Sequence, residues 1–356
     1  MTTSTMDQPT SEAFAERLVG MLNEGALCLM ISIGHRTALF DAMATLPPVT
    51  SEELAAAANL NERYVREWLS ALTTGGIITY DPVTRSFHLP AEHAAWLTRA
   101  AAPNNIAVAA QYIPLLSSVE EGIIERFRPG GGLHYHEYPR FHAVMAEDSG
   151  QTVVGALFDY ILPLVPDLTQ QLETGIDVLD LGCGEGRALI ELAAAFPHSR
   201  FTGYDLSAAA LAAGREAAQR RGLTNLHYAA IDAAHLDETA RYDLIVTFDA
   251  IHDQADPARV LANIRRALRP NGVYLMQDIR GSSVLERNLD HPLAPFMYTI
   301  STMHCMSVSL AAGGAGLGTM WGEELAQTML ADAGFSNVQI EYLAHDFQNS
   351  YYIARV

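Results

Sequence analysis

Apolar residues recur at helical spacing over the first part of the chain, at residues 11–45, with few helix-breaking residues. Thr50 and Asn61 are polar residues placed where they predict the caps of two further helices. The second of these helices is expected to stop at Gly75–Gly76. Two short β-like runs follow, IITY and SFHLP, and the turn DPVTR between them predicts a hairpin. The order helix, turn, helix, hairpin predicts a winged-helix-like domain over residues 1–100.

The pattern changes again further along the chain. Residues 101–170 have helical spacing, whereas short apolar runs alternate with helical segments over residues 171–356. Strands that alternate with helices predict a parallel sheet covered on both faces, and right-handed crossovers make it a doubly wound, Rossmann-like fold. The last two runs, SNVQIEYLA and SYYIARV, predict an antiparallel hairpin at the sheet edge. The expected fold class is therefore α/β, with an N-terminal all-helical or winged-helix domain and a helical linker before the sheet.

Charge limits the classes of partner. The formal net charge is −19, and all 22 basic residues are Arg. Neutralising nucleic-acid phosphates requires clustered basic side chains, so we expect no nucleic-acid partner. The second helix of the winged-helix-like region, which would read DNA, has Arg63 and Arg66 offset by Glu62 and Glu67. This region is therefore expected to serve packing or dimerisation instead.

Neither the cysteines nor the apolar runs indicate a secreted or membrane protein. Cys28, Cys183 and Cys305 are too widely and irregularly spaced to predict a zinc site or a disulfide framework. The segment MTTSTMDQPTSEAF has neither the basic nor the apolar region of a signal peptide. Runs such as ALCLMISIG are too short and interrupted to predict a membrane span. We therefore expect a cytoplasmic protein with no membrane partner.

A glycine-rich loop follows the first strand of the predicted sheet, in the sequence DLGCGEG. Gly182, Gly184 and Gly186 allow a sharp turn and let a ligand approach the main chain closely. Arg187 stands where a nicotinamide or flavin loop would have glycine. The carboxylate of Asp180 would repel a pyrophosphate but attract a ligand with a cationic amino group.

Two more acids follow the next two strands. Asp205 lies 23 residues beyond Gly182, the usual place of a carboxylate that binds both ribose hydroxyls. Asp232 suits the exocyclic amine of adenine, and the backbone N–H of Ala233 suits the adenine ring. Three acids at three successive strand ends thus predict a site for a nucleoside with an amino-acid tail.

The motifs DLGCGEG, YDLS, AIDAAHL and RALRPNG, in this order, resemble those of class I S-adenosylmethionine-dependent methyltransferases over the whole second half of the chain. With its N-terminal region, the chain is similar to small-molecule O-methyltransferases of the caffeate type. The resemblance implies S-adenosylmethionine as cofactor. The predicted cofactor-binding residues are Asp180, Gly182, Gly184, Gly186, Asp205, Leu206, Asp232, Ala233 and Asp249.

The same resemblance implies the reaction and the assembly. The expected reaction moves a methyl group from S-adenosylmethionine to a heteroatom, with oxygen favoured, of a small organic acceptor. The N-terminal helices would form a homodimer, and the linker would contribute to the substrate pocket. A second function stays open, in which the chain is a winged-helix regulator or scaffold that binds S-adenosylmethionine without catalysis.

A candidate base lies in the stretch TFDAIHDQADP. The family carries His-Asp-Trp after its fourth strand, with the histidine as general base; His252 and Asp253 match, whereas Gln254 replaces the tryptophan. An imidazole with a pKa near 6.5 can take the proton of a phenol whose pKa is near 10. In the alternative role, His252 only hydrogen-bonds Asp278 and orders the strand ends.

The family also flanks its base with two glutamates. One of them falls on Asp278, which is an acceptable carboxylate. The other falls near Met320–Trp321, where no acid stands, and Glu323 is the nearest candidate.

An insertion over about residues 283–320 is expected to form a lid over the active site. Tyr298 and Trp321 are assigned to the substrate pocket, and the glycine run at 313–318 to a hinge. His304 is a rival candidate for the base, with a buried core histidine as the alternative.

Three further histidines, His134, His136 and His142, lie close together after a glycine-rich break. Their spacing suits metal ligands, but no nearby cysteine or carboxylate set completes a site. Aromatic residues that line a cleft are the favoured interpretation, and no metal is expected.

Overall fold

The computed structural model describes residues 7–356 and divides into two compact units, Met1–Pro114 and Leu115–Val356. Residues 1–6, which begin the segment inspected for a signal peptide, lie outside the described residues. The division at Pro114 splits the predicted linker, so the linker boundaries stay a prediction.

The first unit contains the predicted helices and hairpin. Thr50 caps the third helix through a capping box, in which its Oγ accepts from the N–H of Glu53 and its own N–H donates to the Glu53 carboxylate. Asn61 Oδ1 caps the next helix by accepting from the N–H of Arg63. The elements are α1 (Gln8–Arg36), α2 (Leu39–Thr45), α3 (Ser51–Ala58), α4 (Glu62–Thr74), β1 (Thr79–Asp81), β2 (Ser86–His88) and α5 (Ala91–Leu97).

Helix α1 is longer than the sequence pattern indicated. It runs unbroken for 29 residues with a mean hydropathy of 1.4 over its most apolar window, so by length and composition alone it could cross a membrane. The expectation that its apolar runs are too short is therefore wrong, because polar residues interrupt the runs but not the helix. Part of its apolar surface packs in the unit's own core, where Trp68 Nε1 donates to the Met30 carbonyl at 2.8 Å.

The exposed face of α4 carries no free positive charge. Arg63 pairs with Glu67 at 2.5 Å, and Arg66 pairs with Glu62 at 3.2 Å. These are intrahelical pairs with a spacing of four residues. The charge offset inferred from the sequence is therefore present as direct contacts.

The second unit is built on a seven-stranded sheet with the order β5-β4-β3-β6-β7-β9-β8. The first five strands along the chain are parallel, and the last hairpin pairs antiparallel with β7. The predicted doubly wound sheet with an antiparallel edge is thus confirmed. The strands are β3 (Asp177–Leu181), β4 (Arg200–Asp205), β5 (Leu226–Ala230), β6 (Tyr242–Phe248), β7 (Leu268–Ile279), β8 (Asn337–Glu341) and β9 (Asn349–Arg355).

Helices cover both faces of this sheet. Successive strand residues point to opposite faces, so Val178 enters one core cluster and Leu179 the other. The central strands are apolar on both sides for this reason. The helices of the unit are α6 (Tyr112–Ser117), which begins before the division, α7 (Glu120–Arg126), α8 (Phe141–Ser149), α9 (Leu168–Thr174), α10 (Arg187–Ala195), α11 (Ala208–Arg220), α12 (Pro257–Ala267), α13 (Ala294–Ile300), α14 (Met306–Ala311) and α15 (Gly322–Asp332).

Three helical segments of this unit have π-helical hydrogen bonding. They are Gly150–Val154, Leu157–Ile161 and Ser301–Cys305. The last of them joins α13 to α14 inside the predicted lid. A π-turn inserts an extra residue into a helical turn and is frequent at functional sites.

Candidate active site

The strand order reverses between β3 and β6, which creates a crevice at their carboxyl ends. In open α/β sheets, ligands bind at such a switch point. The glycine loop leaves β3 here, and the segment that begins with Asp249 leaves β6. The two are in contact, since a Cβ added at Gly182 would lie 2.7 Å from the Cβ of Ala250.

Backbone hydrogen bonds fix the conformation of the glycine loop. The N–H groups of Gly182 and Cys183 both donate to the Tyr204 carbonyl, at 2.8 and 3.1 Å. Gly184 has a φ of 55°, and a Cβ added to it would meet no atom within 4 Å. Gly186, with a φ of 65°, is instead crowded by Tyr228, whose Oη would lie 2.3 Å from an added Cβ. Gly184 therefore faces open space, whereas Gly186 allows close packing.

Asp180 is a buried acid that lacks a cation. Its side chain is 3% exposed, and its Oδ1 has no hydrogen-bond partner. Burial, helped by the charge of Asp205, raises the pKa of Asp180 to about 8. A cationic amino group in the crevice would satisfy this carboxylate, as the sequence predicts.

The next two acids are already bonded to the main chain. Asp205 accepts from the N–H groups of Gly184 at 2.8 Å and Ser207 at 2.7 Å. Asp232 accepts from the N–H of Ala234 at 2.9 Å and pairs with the exposed ring of His235 at 3.0 Å. Each carboxylate oxygen keeps a lone pair, so both acids can still accept from a ligand.

Two more predicted cofactor contacts flank these acids. Leu206 follows Asp205 directly and is 67% exposed. Ala233 follows Asp232 and is buried. An exposed apolar side chain next to a buried small one is an arrangement that can hold a flat ring.

Asp249 ends β6 in a strained conformation. Its φ is 50°, in the left-handed region that a residue other than glycine seldom adopts. Its N–H donates to the Gln277 carbonyl at 3.0 Å, and its Oδ2 accepts from Gln277 Nε2 at 3.3 Å. Its Oδ1 is buried without a partner, and burial together with the nearby Asp278 raises its pKa well above the usual range.

His252 and Asp278 form a buried pair. His252 is 3% exposed and Asp278 is fully buried, with Nδ1 and Oδ1 separated by 2.7 Å. In this contact Nδ1 carries a proton and donates a hydrogen bond to Asp278. Nε2 is then the nitrogen that can take a further proton. The sequence prediction that these two residues meet is therefore confirmed, although the contact by itself suits both the catalytic and the bracing role.

Trp321 occupies a different place from the predicted pocket wall. Its indole is buried in a core cluster, and its Nε1–H donates to Asp278 Oδ1 at 3.0 Å. It therefore fixes the carboxylate that orients His252. The carboxylate of Glu323, the nearest candidate for the second flanking acid, accepts from Ser350 at 2.5 Å and from Tyr342 at 3.0 Å.

The environment of His252 favours the protonated ring. Burial opposes the charge, but the carboxylate of Asp278 and a hydrogen bond with the thiol of Cys305 outweigh it and raise the pKa of His252 well above 6.5. Cys305 is itself buried, and burial raises the pKa of its thiol. The imidazole is thus a stronger base than one in water.

The loop that carries His252 is braced by the glycine run of the lid. Gly318 N–H donates to the His252 carbonyl at 3.2 Å, and Ala315 N–H to the Ala255 carbonyl at 3.0 Å. Gln254, which replaces the family tryptophan, donates to the Ala250 carbonyl at 2.6 Å. The run at 313–318 is therefore bonded on one side to the loop that carries His252, and its predicted role as a hinge stays a prediction.

His304 is enclosed by aromatic rings. Its ring stacks on Phe141 at 3.9 Å between centroids and meets Tyr138 and Tyr135 edge-on at 4.7 and 5.3 Å. Burial, with the nearby His252 and His142, lowers the pKa of His304 to about 3. Such a ring stays neutral and is a poor proton acceptor, which argues against its predicted role as a rival base.

The three clustered histidines do not converge on a common point. His134 and His136 are exposed and stack on each other at 5.7 Å, whereas His142 lies against Tyr135 at 6.2 Å. Tyr135 itself donates from its hydroxyl to Asp253. The segment therefore contributes aromatic surface, in line with the favoured interpretation.

Tyr298, the other predicted pocket residue, lies in the lid at α13. It is 36% exposed, and its hydroxyl accepts from Asn288 Nδ2 at 3.1 Å. The contact joins α13 to the beginning of the lid, so this side chain contributes to the lid's own structure.

One group of side chains has the spacing of a cation site. Ligand atoms of Asp249, His252 and Asp278 lie within 4.8 Å of one another. Asp278 Oδ1 already accepts hydrogen bonds from His252, from Trp321 and from the N–H of Ile279 at 2.8 Å, whereas Asp278 Oδ2 and Asp249 Oδ1 are buried without a partner. Sequence reasoning found the His252–Asp278 contact through motif alignment but could not find the Trp321 contact, since 43 residues separate the two partners.

Comparisons with known proteins agree with this geometry. Residues 172–341 match a family model described as a methyltransferase domain, and residues 25–99 match one described as an Rv2258c-like winged HTH domain. Trans-aconitate 2-methyltransferase of Deinococcus radiodurans is 38% identical over 100 residues, which are 28% of this chain and 36% of that protein. The chain spans less than half the length of the curated relatives it matches.

Solved structures resemble the chain over nearly its whole length. Human N-acetylserotonin methyltransferase in complex with S-adenosylmethionine is 17% identical, covers 99% of both chains and gives a TM-score of 0.68. An O-methyltransferase family protein from Burkholderia thailandensis is 16% identical, covers 96% of this chain and 97% of its own, and gives a TM-score of 0.64. The chain thus joins an N-terminal winged-helix domain to a methyltransferase domain of the class I, S-adenosylmethionine-dependent kind.

Proposed function

We propose that this protein transfers a methyl group from S-adenosylmethionine to an oxygen of a small organic acceptor. The buried His252–Asp278 pair carries the proposal, because an imidazole oriented by a carboxylate follows the strand at the switch point and suits a general base. The similarity to proteins named as methyltransferases and O-methyltransferases supports it. When bound, S-adenosylmethionine supplies an electrophilic methyl group.

The crevice residues fit the parts of this cofactor. Asp180, whose Oδ1 is buried and unpartnered, would accept from the amino group of the methionine portion. Gly184 leaves room for the ligand, and Asp205 would accept from the ribose hydroxyls. Asp232 and the N–H of Ala233 would bind the adenine edge.

His252 would act on the acceptor rather than on the cofactor. The acceptor hydroxyl would give its proton to Nε2 of His252 as its oxygen forms the bond to the methyl carbon, while the sulfur keeps the electron pair of the broken bond. Asp278 holds the ring and stabilises the imidazolium that forms, and Trp321 holds Asp278. General-base help of this kind contributes about 10²–10⁴ in rate.

Substitution of His252 tests the proposal. With radiolabelled cofactor and a panel of phenolic acceptors, His252→Ala should lower the methylation rate by about 10²–10⁴ and leave cofactor affinity nearly unchanged. The loss should shrink as the pH approaches the pKa of the acceptor, because solvent then supplies the anion. His227→Ala, at an exposed histidine of β5, is the matched control.

Two results would contradict this assignment. A small effect of His252→Ala at every pH, together with a lower melting temperature, would mean that His252 only braces the strand ends. A wild-type protein that binds the cofactor but methylates no member of the panel would favour the regulator or scaffold hypothesis.

The regulator hypothesis has little support from charge. Its DNA-reading helix would be α4, whose two arginines are engaged by glutamates of the same helix. Gel-shift experiments at low salt address it directly, and sequence-specific binding would restore it.

We further propose that the protein works in the cytoplasm as a homodimer built on α1. The exposed apolar residues of that helix lie mainly before residue 23, whereas Leu27, Met30 and Ile31 pack in the core of their own unit. A monomer seldom leaves a patch of this kind uncovered. The exposed residues are Phe14, Leu18, Val19, Met21, Leu22, Leu29 and Ile33.

A further inference from the structure

His304 carries a polar atom that the proposed mechanism does not use. Its Nε2 is buried without a hydrogen-bond partner, and the residue is 3% exposed. A buried polar atom left unpaired destabilises the folded protein, and such an atom in a native protein requires an explanation. The ring is also neutral, so Nε2 offers a hydrogen bond rather than a charge.

Tyr135 links this ring to the segment that carries the proposed base. The π-turn at Ser301–Cys305 buries His304. The ring of Tyr135 meets His304 edge-on at 5.3 Å, and its hydroxyl donates to Asp253, the residue after His252. An unpartnered hydrogen-bonding atom therefore lies in the neighbourhood of the base.

The surroundings of the ring define the shape of a suitable ligand. Phe141 stacks on His304 at 3.9 Å, and Tyr138 and Tyr135 meet it edge-on. The Tyr138 hydroxyl donates to the Met303 carbonyl at 2.7 Å, and the Tyr135 hydroxyl donates to Asp253. Both hydroxyls are thus engaged, which leaves an aromatic surface whose free polar atom is Nε2 of His304.

We propose that His304 is a positioning residue that hydrogen-bonds a second hydroxyl of a planar aromatic acceptor, next to the hydroxyl that faces His252. A hydroxyl matches either tautomer of a neutral imidazole, because it both donates and accepts. Aromatic walls favour a flat ring. The inference rests on the proposed function, since it takes His252 as the site of the reacting oxygen.

The test compares catechol with phenol, which differ by the second hydroxyl alone. Binding is measured by calorimetry to the full protein saturated with S-adenosylhomocysteine, with EDTA present to exclude bridging cations. The wild type should bind catechol about tenfold more tightly than phenol, near the upper end of the net effect of one hydrogen bond. His304→Phe, which keeps the stack and removes the nitrogen, should reduce the preference to within about twofold of unity.

Two further variants separate positioning from structure. His304→Gln keeps a hydrogen-bonding side chain and should retain part of the preference for catechol. His136→Phe, at an exposed histidine of the same aromatic segment, should retain all of it. Thermal unfolding should show that His304→Phe is at least as stable as the wild type, because it removes an unpaired buried polar atom.

Each contrary result overturns the proposal. Equal affinities for the two probes in the wild type, no binding of either probe, or a preference that survives in His304→Phe would all do so. The proposed methyl transfer fails differently, through the absence of labelled product with every acceptor. His252→Ala should abolish most methylation yet keep the preference for catechol, so the two failures are distinguishable.

Discussion

At the scale of single residues, the site contains several buried polar atoms that have no hydrogen-bond partner. Asp180 and Asp249 each have an unpartnered carboxylate oxygen, and His304 has an unpartnered ring nitrogen. Motif spacing identified both acids and the histidine because these residue types stand out in apolar sequence. It could not show that Trp321 bonds Asp278, since that contact depends on where the turn Thr319–Trp321 lies relative to the end of β7.

Removing the carboxylate of Asp278 should shift the pH dependence of the reaction. The pKa of His252 is raised in the folded protein, so the neutral base, and with it the rate, increases as the pH rises through that raised value. In Asp278→Asn the partner charge is absent and burial remains, so the midpoint of the pH–rate profile should fall. The maximal rate should also decrease, because the ring loses its orientation. A midpoint that stays in place, measured with saturating acceptor, would show that His252 is not the group that titrates.

The same pair makes stability depend on pH. A group whose pKa is raised on folding contributes stability that is fully present below its unfolded value, near 6.5, and is lost as the pH rises through the folded value. The wild type should therefore lose part of its free energy of unfolding over that range, and His252→Ala should lose less. Urea denaturation at several pH values measures the free energy of unfolding of each protein. The same pH dependence of that free energy in both proteins would contradict the prediction.

Asp205 provides a separate test of the cofactor site. Asp205→Ala should weaken binding of S-adenosylmethionine by about 1.5–3 kcal/mol, the range for hydrogen bonds to a charged group. Part of this loss of affinity should come from the glycine loop, because Asp205 also accepts a hydrogen bond from the N–H of Gly184. Glu191→Ala, which removes an exposed acid that pairs with Arg221, is the control in the same calorimetric titration. Unchanged affinity in Asp205→Ala would exclude the ribose assignment.

At the scale of elements, periodicity predicted the sheet, its covering helices and the capped helices of the first unit. It succeeded because each of these elements has one hydrophobic period along its length. It did not reveal the π-turn at Ser301–Cys305, since one extra residue within a helix hardly changes a hydrophobic pattern. It also suggested a hinge at 313–318, which stays a prediction, and it did not reveal that Gly314 lies close to the loop that carries His252.

Gly314 tests that interpretation of the glycine run. A Cβ at this position would lie 2.3 Å from the Cα of Ala255 and 2.7 Å from its carbonyl oxygen. Gly314→Ala should therefore displace the loop that carries His252, at a cost of about 1–3 kcal/mol in stability. We expect a lower melting temperature together with a lower kcat, and little change in cofactor affinity. If the run is only a flexible hinge, the variant should keep both its melting temperature and its kcat.

At the scale of the whole molecule, the proposed homodimer can be tested on α1. Leu22 is 74% exposed on this helix, and Leu22→Asp should dissociate the proposed dimer because it puts a charge into an apolar contact. Val83, which is 89% exposed in the turn between β1 and β2, provides the control, and Val83→Asp should leave the dimer intact. Light scattering at micromolar concentration measures both, and a monomeric wild type would contradict the assignment.

The π-turn has a consequence for how this protein can change its acceptor. Deleting one residue within Ser301–Cys305 would restore regular α-helical hydrogen bonding and rotate every side chain before it by about 100° relative to those after it. His304 would then face a different direction relative to the side chains of α13. Substitution libraries never sample such a step, whereas single-codon deletions and insertions do. Diversification of this lid in nature or in the laboratory would therefore proceed through changes in length as well as through changes in side chain.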